Sequence, residues 1–250
     1  MSNFEVKTFL DLKRVLDNLL MKGFVFRGIN DKKQLLPKIL RQSVDCSKKE
    51  FDILSLFEQY YGLYASANNC WEFLSIAQHY GLMTRLIDFS QNPYVALFFA
   101  LHSRRTEKGA YQIYAIDSKK LTTIYNAVEK TKVIGETLVI ESTYYDAGTN
   151  FSEMLKTELG KLENNCVYSV KPNFRNPRIF AQQGLFIVPS VLDETLIMKG
   201  FNEQFDVINI PDDLREEALE YLSGIGFDEF HLMPDLASVC FEINFKALGN

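Results

Sequence analysis

Leu10, Leu12, Val15, Leu16, Leu19 and Leu20 recur at helical spacing, with Asp11, Lys13 and Arg14 between them. The first segment therefore predicts an amphipathic helix, ended by Gly23. Phe24-Val25-Phe26 is a short aromatic and β-branched run, read as a buried strand with Arg27-Gly28 at its end. Leu35-Leu36-Pro37 predicts a loop leading into a short helical turn. Ser47 with Glu50 three residues on has the form of a capping box, and Phe51, Leu54, Leu56, Phe57 and Tyr60 continue the apolar face of that helix. A further helix is predicted over residues 70–79, stopped near Gly81, followed by an extended stretch over 84–89. Pro93 opens a helix over 94–100 that is apolar almost all round and must be buried.

Strands are predicted at 110–116, 137–140, 166–170, 185–188 and 207–210. Pro211-Asp212-Asp213 starts a late helix through Tyr221, and residues 230–235 form a tight connection. Strands interleave with helices but trace no regular βαβ units. The expected class is α/β (α+β), a central mixed or split β-sheet flanked by helices. At 250 residues the chain is at the upper end for one core, so residues 1–250 are read as a single domain. Residues 118–165 are the least patterned and are read as a variable insertion.

Composition narrows the function classes. The formal charge of −5 argues against a surface coated in positive potential for duplex nucleic acid, but leaves room for a local basic cleft. Cations cluster at Lys32, Lys33, Lys38 and Arg41, and again at Arg104, Arg105 and Lys108. Cys46, Cys70, Cys166 and Cys240 are far apart, which reads as reduced, buried thiols in a cytoplasmic protein, and no His/Cys spacing fits a metal site. No apolar run approaches the ~20 residues needed to cross a membrane, and the start lacks a basic segment followed by an apolar one.

Three stretches together resemble the FRG domain family. They are Phe26-Arg27-Gly28 with Leu36-Pro37 and Arg41; residues 77–88 (AQHYGLMTRLID) running into Asn92-Pro93 and Ala96-Leu97-Phe98-Phe99-Ala100; and Arg178 with Ala181-Gln182-Gln183-Gly184-Leu185-Phe186. Met233-Pro234-Asp235-Leu236 is a weaker echo. Members of that family often lie near bacterial anti-phage and toxin genes. The resemblance thus implies a toxin or defence effector, with an antitoxin or chaperone as an expected partner.

The aromatic-Arg-Gly strand and the segment from Ser90 to Ala100 also resemble, more distantly, the ADP-ribosyltransferases. That likeness implies NAD as the cofactor and a macromolecular acceptor, RNA or DNA among the candidates. Under it, Arg27 holds ribose and phosphate, Gly28 grips nicotinamide, Tyr80 or Phe89 stacks on a ring, and Asp88 or Gln183 orients the acceptor. Those enzymes usually carry a late-strand Glu, where this chain has Gln182-Gln183. The alternative is a non-catalytic module that binds a nucleotide or RNA. The expected catalytic set is Arg27, His79, Asp88 and Gln183; the expected cofactor-binding set is Arg27, Gly28, Tyr80, Thr84, Arg85 and Ser90.

Each position also has a plainer reading. Arg27 can pair with Asp88 in the core, and Arg85 with Asp88 across a turn. His79 can be a helix-end histidine satisfied by backbone, and Gln182 and Gln183 can be turn residues. His102 and His231 read as surface or structural, and Arg104-Arg105 as a solvated helix end.

Overall fold

Thr8 starts the first helix: its Oγ1 accepts a hydrogen bond from the Asp11 amide at 3.1 Å, and Gly23, at φ +79°, lets the chain turn away after the end. This helix, α1 (Phe9–Met21), buries the stripe Phe9, Leu12, Leu16 and Leu19. Leu10 and Leu20 lie off that stripe and face solvent. The computed structural model describes residues 2–41, 49–67, 69–102, 111–125, 133–134, 137–138, 150–160, 162, 167–170, 177–234 and 240. Cys46, Ser47, Arg104, Arg105, Lys108, Cys166, Asp235 and Leu236 lie outside those residues.

The strands are β1 (Asn3–Glu5), β2 (Phe24–Ile29), β3 (Ile87–Ser90), β4 (Gln112–Asp117), β5 (Val133–Ile134), β6 (Thr137–Leu138), β7 (Val167–Val170), β8 (Gly184–Pro189) and β9 (Asp206–Asn209). Seven of them form one sheet in the order β1-β9-β4-β2-β3-β8-β7, while β5 and β6 pair separately. β1 and β9 run parallel and the other neighbours are antiparallel, so the sheet is mixed and the fold is α/β. The remaining helices are α2 (Glu50–Tyr61), α3 (Cys70–His79), α4 (Pro93–Leu101), α5 (Ser118–Tyr125), α6 (Phe151–Gly160), α7 (Pro177–Ala181), α8 (Glu194–Gln204), α9 (Arg215–Gly224) and α10 (Glu229–Leu232). Among the described residues no helix is long and apolar enough to cross a membrane.

Alternation along the strands feeds two cores, one on each face of the sheet. Val25, Ile29, Tyr114 and Ile116 join residues of α2, α3, α6 and α8, whereas Phe26, Ile113, Ala115 and Ile208 join α1, α4, α9 and α10. Within 118–165, Leu121 of α5 and Phe151 and Leu155 of α6 belong to the first core.

Two local findings differ from the sequence reading. Arg27 and Gly28 lie inside β2 rather than at its end, because Ile29 continues the apolar alternation and pairing with β4 runs on to Gln112. Gly28 is glycine because α4 lies directly on it: a Cβ there would stand 1.7 Å from the Ala96 carbonyl oxygen and 2.8 Å from the Ala100 nitrogen.

Candidate functional site

β2 meets β3 in register only at Phe26 and Ser90, whereas it pairs with β4 along all six of its residues. Beyond that point the two strands part, and the Arg27 side chain spans the gap. Its Nη1 donates to the Asp88 carbonyl, while Nε and Nη2 donate to the Gln34 carbonyl at 3.0 and 2.6 Å. A cleft of about 490 Å³ opens around this gap, within the usual range for small-ligand sites.

The segment between β2 and α2 forms one wall. Asp31 accepts the Lys33 amide at 2.8 Å and starts a 3₁₀ turn over Lys32–Leu35. Asn30 and Gln34 close this turn by reciprocal hydrogen bonds at 2.8 and 3.1 Å. Gln34 is thereby fixed with its carbonyl toward both Arg27 and Arg41, whose Nη2 donates to the same oxygen at 3.1 Å. Arg41 Nε donates to the Leu36 carbonyl at 2.8 Å, and Lys38 Nζ to the Gly81 carbonyl at 2.8 Å.

All of these cations therefore end on carbonyls. A carbonyl satisfies a donor but cannot neutralise it. Among the described residues, Arg178 adds a fourth cationic side chain to the lining, against Asp88 as the one carboxylate. Burial pushes the Arg27 guanidinium down to about 10; the Asp88 charge opposes that shift and the Arg41 charge adds to it. Arg41 is also lowered by burial, with Asp88 and Asp31 opposing.

Asp88 is oriented through a chain that starts in the core. Buried Thr84 donates its hydroxyl to Gln78 Oε1, and Gln78 Nε2 donates to Asp88 Oδ1 at 2.8 Å. Thr84 also accepts the Leu86 amide at 3.2 Å, which fixes the rotor. Ser90 Oγ donates to the Gln182 carbonyl at 2.7 Å and accepts the Asn92 amide at 2.9 Å, tying β3 and the start of α4 to the loop after α7.

Of the residues expected from the sequence, Arg27, Gly28, His79, Asp88 and Ser90 line the cleft together. The plain Arg27–Asp88 ion pair is replaced by a bond to the Asp88 main chain. Tyr80, Thr84, Arg85 and Gln183 are not in the lining. Tyr80 stands outside, exposed, beside His79. Thr84 acts through Gln78. Arg85 turns to Glu50, with Nε–Oε1 at 2.8 Å, and to the Pro189 and Ser190 carbonyls at 3.0 and 3.1 Å. Both partners are buried, at 5% and 1% exposure, so Arg85 clamps α2 to the end of β8 instead of meeting a ligand or Asp88. Gln183 is a turn residue at φ +47°, donating its amide to the Phe180 carbonyl and accepting from the Gln91 amide, both at 3.0 Å.

The lining also contains residues outside the expected set: Gln34, Lys38, Arg41, Arg178, Gln182 and His102. Arg41, Arg178 and Gln182 stood in the stretches that carry the family resemblance, which was the available signal. Gln34 acts through its main chain and left none. His102, read as surface or structural, stacks on Phe98 at 4.8 Å and lies 3.7 Å from Glu229 while lining the cleft. His231, 2.7 Å from Asp228, stays at the surface.

No curated protein and no solved structure matches this chain. Residues 22–109 match the family model of the FRG domain. That stretch runs from β2 through α4 and supplies Arg27, Arg41, Asp88 and the parted strands themselves. Over that stretch, about a third of its length, the chain is similar to the FRG domain.

Proposed function

We propose that the cleft binds a phosphorylated nucleotide. The observation that carries this is the pair Arg27 and Arg41, hung from one carbonyl oxygen of Gln34 with no carboxylate bonded to either among the described residues. Two like charges held this close are unfavourable unless an anion joins them, and a phosphate accepts from two guanidinium forks at once. NAD fits this as a diphosphate ligand. The nicotinamide grip imagined for Gly28 has less support, because α4 occupies the space that its missing side chain leaves.

The test is calorimetric titration of NAD, ADP and AMP into wild type and Arg41→Ala. Removing one charged hydrogen-bonding partner should weaken binding by roughly tenfold or more. Raising salt should weaken it further. Absence of binding by all three nucleotides, or unchanged affinity in Arg41→Ala, would end this reading.

ADP-ribosyl transfer is the catalytic form of the same reading, favoured by one observation: Asp88, the carboxylate of the lining, is held in place by Gln78. In that reaction the bond from the ribose anomeric carbon to nicotinamide breaks and a bond to the acceptor forms. Asp88 would face the positive charge that develops on the ribose and take the acceptor's proton. With labelled NAD, Asp88→Asn should bind as wild type does and transfer nothing. Wild type that binds NAD but never cleaves it leaves the cleft as a sensor for nucleotides.

A further inference from the structure

Exposed aromatics need a reason when several adjoin, along the chain, the residues that line one cleft. Tyr80 stands between His79 and Gly81, both in the cleft wall, and is 66% exposed. Phe180 belongs to α7, which contributes Arg178 to the wall, and is 67% exposed. Phe230, on α10 next to α7, is 46% exposed and lies three residues before the lining residue Met233. None of these rings is in the lining itself, but Tyr80 and Phe180 are each next in sequence to lining residues.

A mononucleotide held at Arg27 and Arg41 would lie within about 490 Å³ and make no use of them. A chain of nucleotides would. Its phosphates would follow the cations of the cleft, and the bases beyond the opening would meet flat rings presented to solvent.

Resting on the phosphate-binding reading above, we infer that the cleft takes one nucleotide of a single-stranded nucleic acid and that Tyr80 and Phe180 stack the bases leaving it. Base stacking on aromatic side chains is sequence-tolerant, and each ring contributes a measurable share of affinity. A duplex keeps its bases inside the stack and gains nothing from these rings. The overall charge of −5 confines the attraction to the cleft, so a short strand is favoured over a long duplex that would meet the acidic remainder of the surface.

The experiment uses fluorescence anisotropy with labelled ten-nucleotide U and dT strands, a ten-base-pair duplex and labelled ADP. The proteins are wild type, Arg41→Ala, and Tyr80→Ala/Phe180→Ala. Wild type should bind both single strands more tightly than the duplex. The double aromatic variant should lose on the order of tenfold or more for the strands while binding ADP as wild type does. Arg41→Ala should weaken strands and ADP alike. ADP binding without strand binding would overturn this inference and leave the nucleotide site standing. Strand binding unchanged in the double aromatic variant would overturn it too, whereas loss of all binding in wild type would remove both readings. Both rings are exposed, so the double variant should fold, and its circular dichroism spectrum should match wild type.

Discussion

Gly28→Ala separates two explanations of the same residue. If glycine stands there to let a ligand approach, an added methyl group harms binding and leaves the fold alone. If it stands there because α4 rests on β2, the methyl group harms the fold first. The structure supports the second: the new Cβ would lie 1.7 Å from the Ala96 oxygen, 2.7 Å from its carbonyl carbon and 2.8 Å from the Ala100 nitrogen. All three are main-chain atoms of one helix, so no side chain can swing aside. To restore ordinary contact, α4 would have to move away from β2 by an ångström or more. That helix buries Val95, Ala96, Leu97, Phe98, Ala100 and Leu101, so the displacement would loosen a whole layer. Overpacking of a core typically costs about 1–3 kcal/mol, and a rigid main-chain neighbour puts this case at about 3 kcal/mol or above. For a domain of this size that lowers Tm by roughly 6–12 °C. Urea unfolding followed by far-ultraviolet circular dichroism measures it. A Gly28→Ala protein within about 0.5 kcal/mol of wild type, the usual scatter for a harmless substitution, would refute the packing argument.

Arg85→Ala should cost about 3–5 kcal/mol, because it strands Glu50 as a buried charge; Arg85→Met with Glu50→Leu should recover at least half of that in the same unfolding assay. If Arg85 were a ligand residue instead, the single variant would keep its stability and lose nucleotide affinity. Gln183→Gly relieves a left-handed backbone at φ +47° but gives the unfolded chain more freedom, so the net change should stay within about 1 kcal/mol. Its nucleotide affinity should match wild type; a tenfold loss by calorimetry would put the Gln183 side chain back in the site. Thr84→Val keeps the buried shape and removes the hydroxyl that orients Gln78. ADP-ribosyl transfer, where present, should fall while nucleotide affinity holds, and an unchanged transfer rate would show that Asp88 needs no such support.

The hydrophobic pattern placed most of the fold, because α1, α3, α4, β4, β8 and β9 announce themselves by period and by caps that act within four residues. It missed β1, whose three residues become a strand only by lying parallel to β9, some two hundred positions away. It also missed α8, whose Met-Lys-Gly-Phe turn carries too weak a stripe to separate from a loop. At the site, the short motifs singled out Arg27, Asp88 and Ser90, which the fold brings together in one cleft lining. They could not say what Arg85 faces, since Glu50 is 35 positions away and no local rule links the two. Nor could they reveal Gln34, which meets both arginines with its carbonyl while its side chain braces the turn against Asn30. Tyr80 and Thr84 shared the motif's density of polar groups, yet one faces water and the other the core.

The bridging guanidinium of Arg27 has a mechanical meaning. Where strands are fully laced by main-chain bonds, a sheet shears as one plate; here two plates are joined by one register pair and one side chain. A guest that touched both banks would act as a second stitch across this seam. Amides of β3 nearest the opening should then exchange with deuterium more slowly when the cleft is filled, while those between β2 and β4, already laced, should keep their pace.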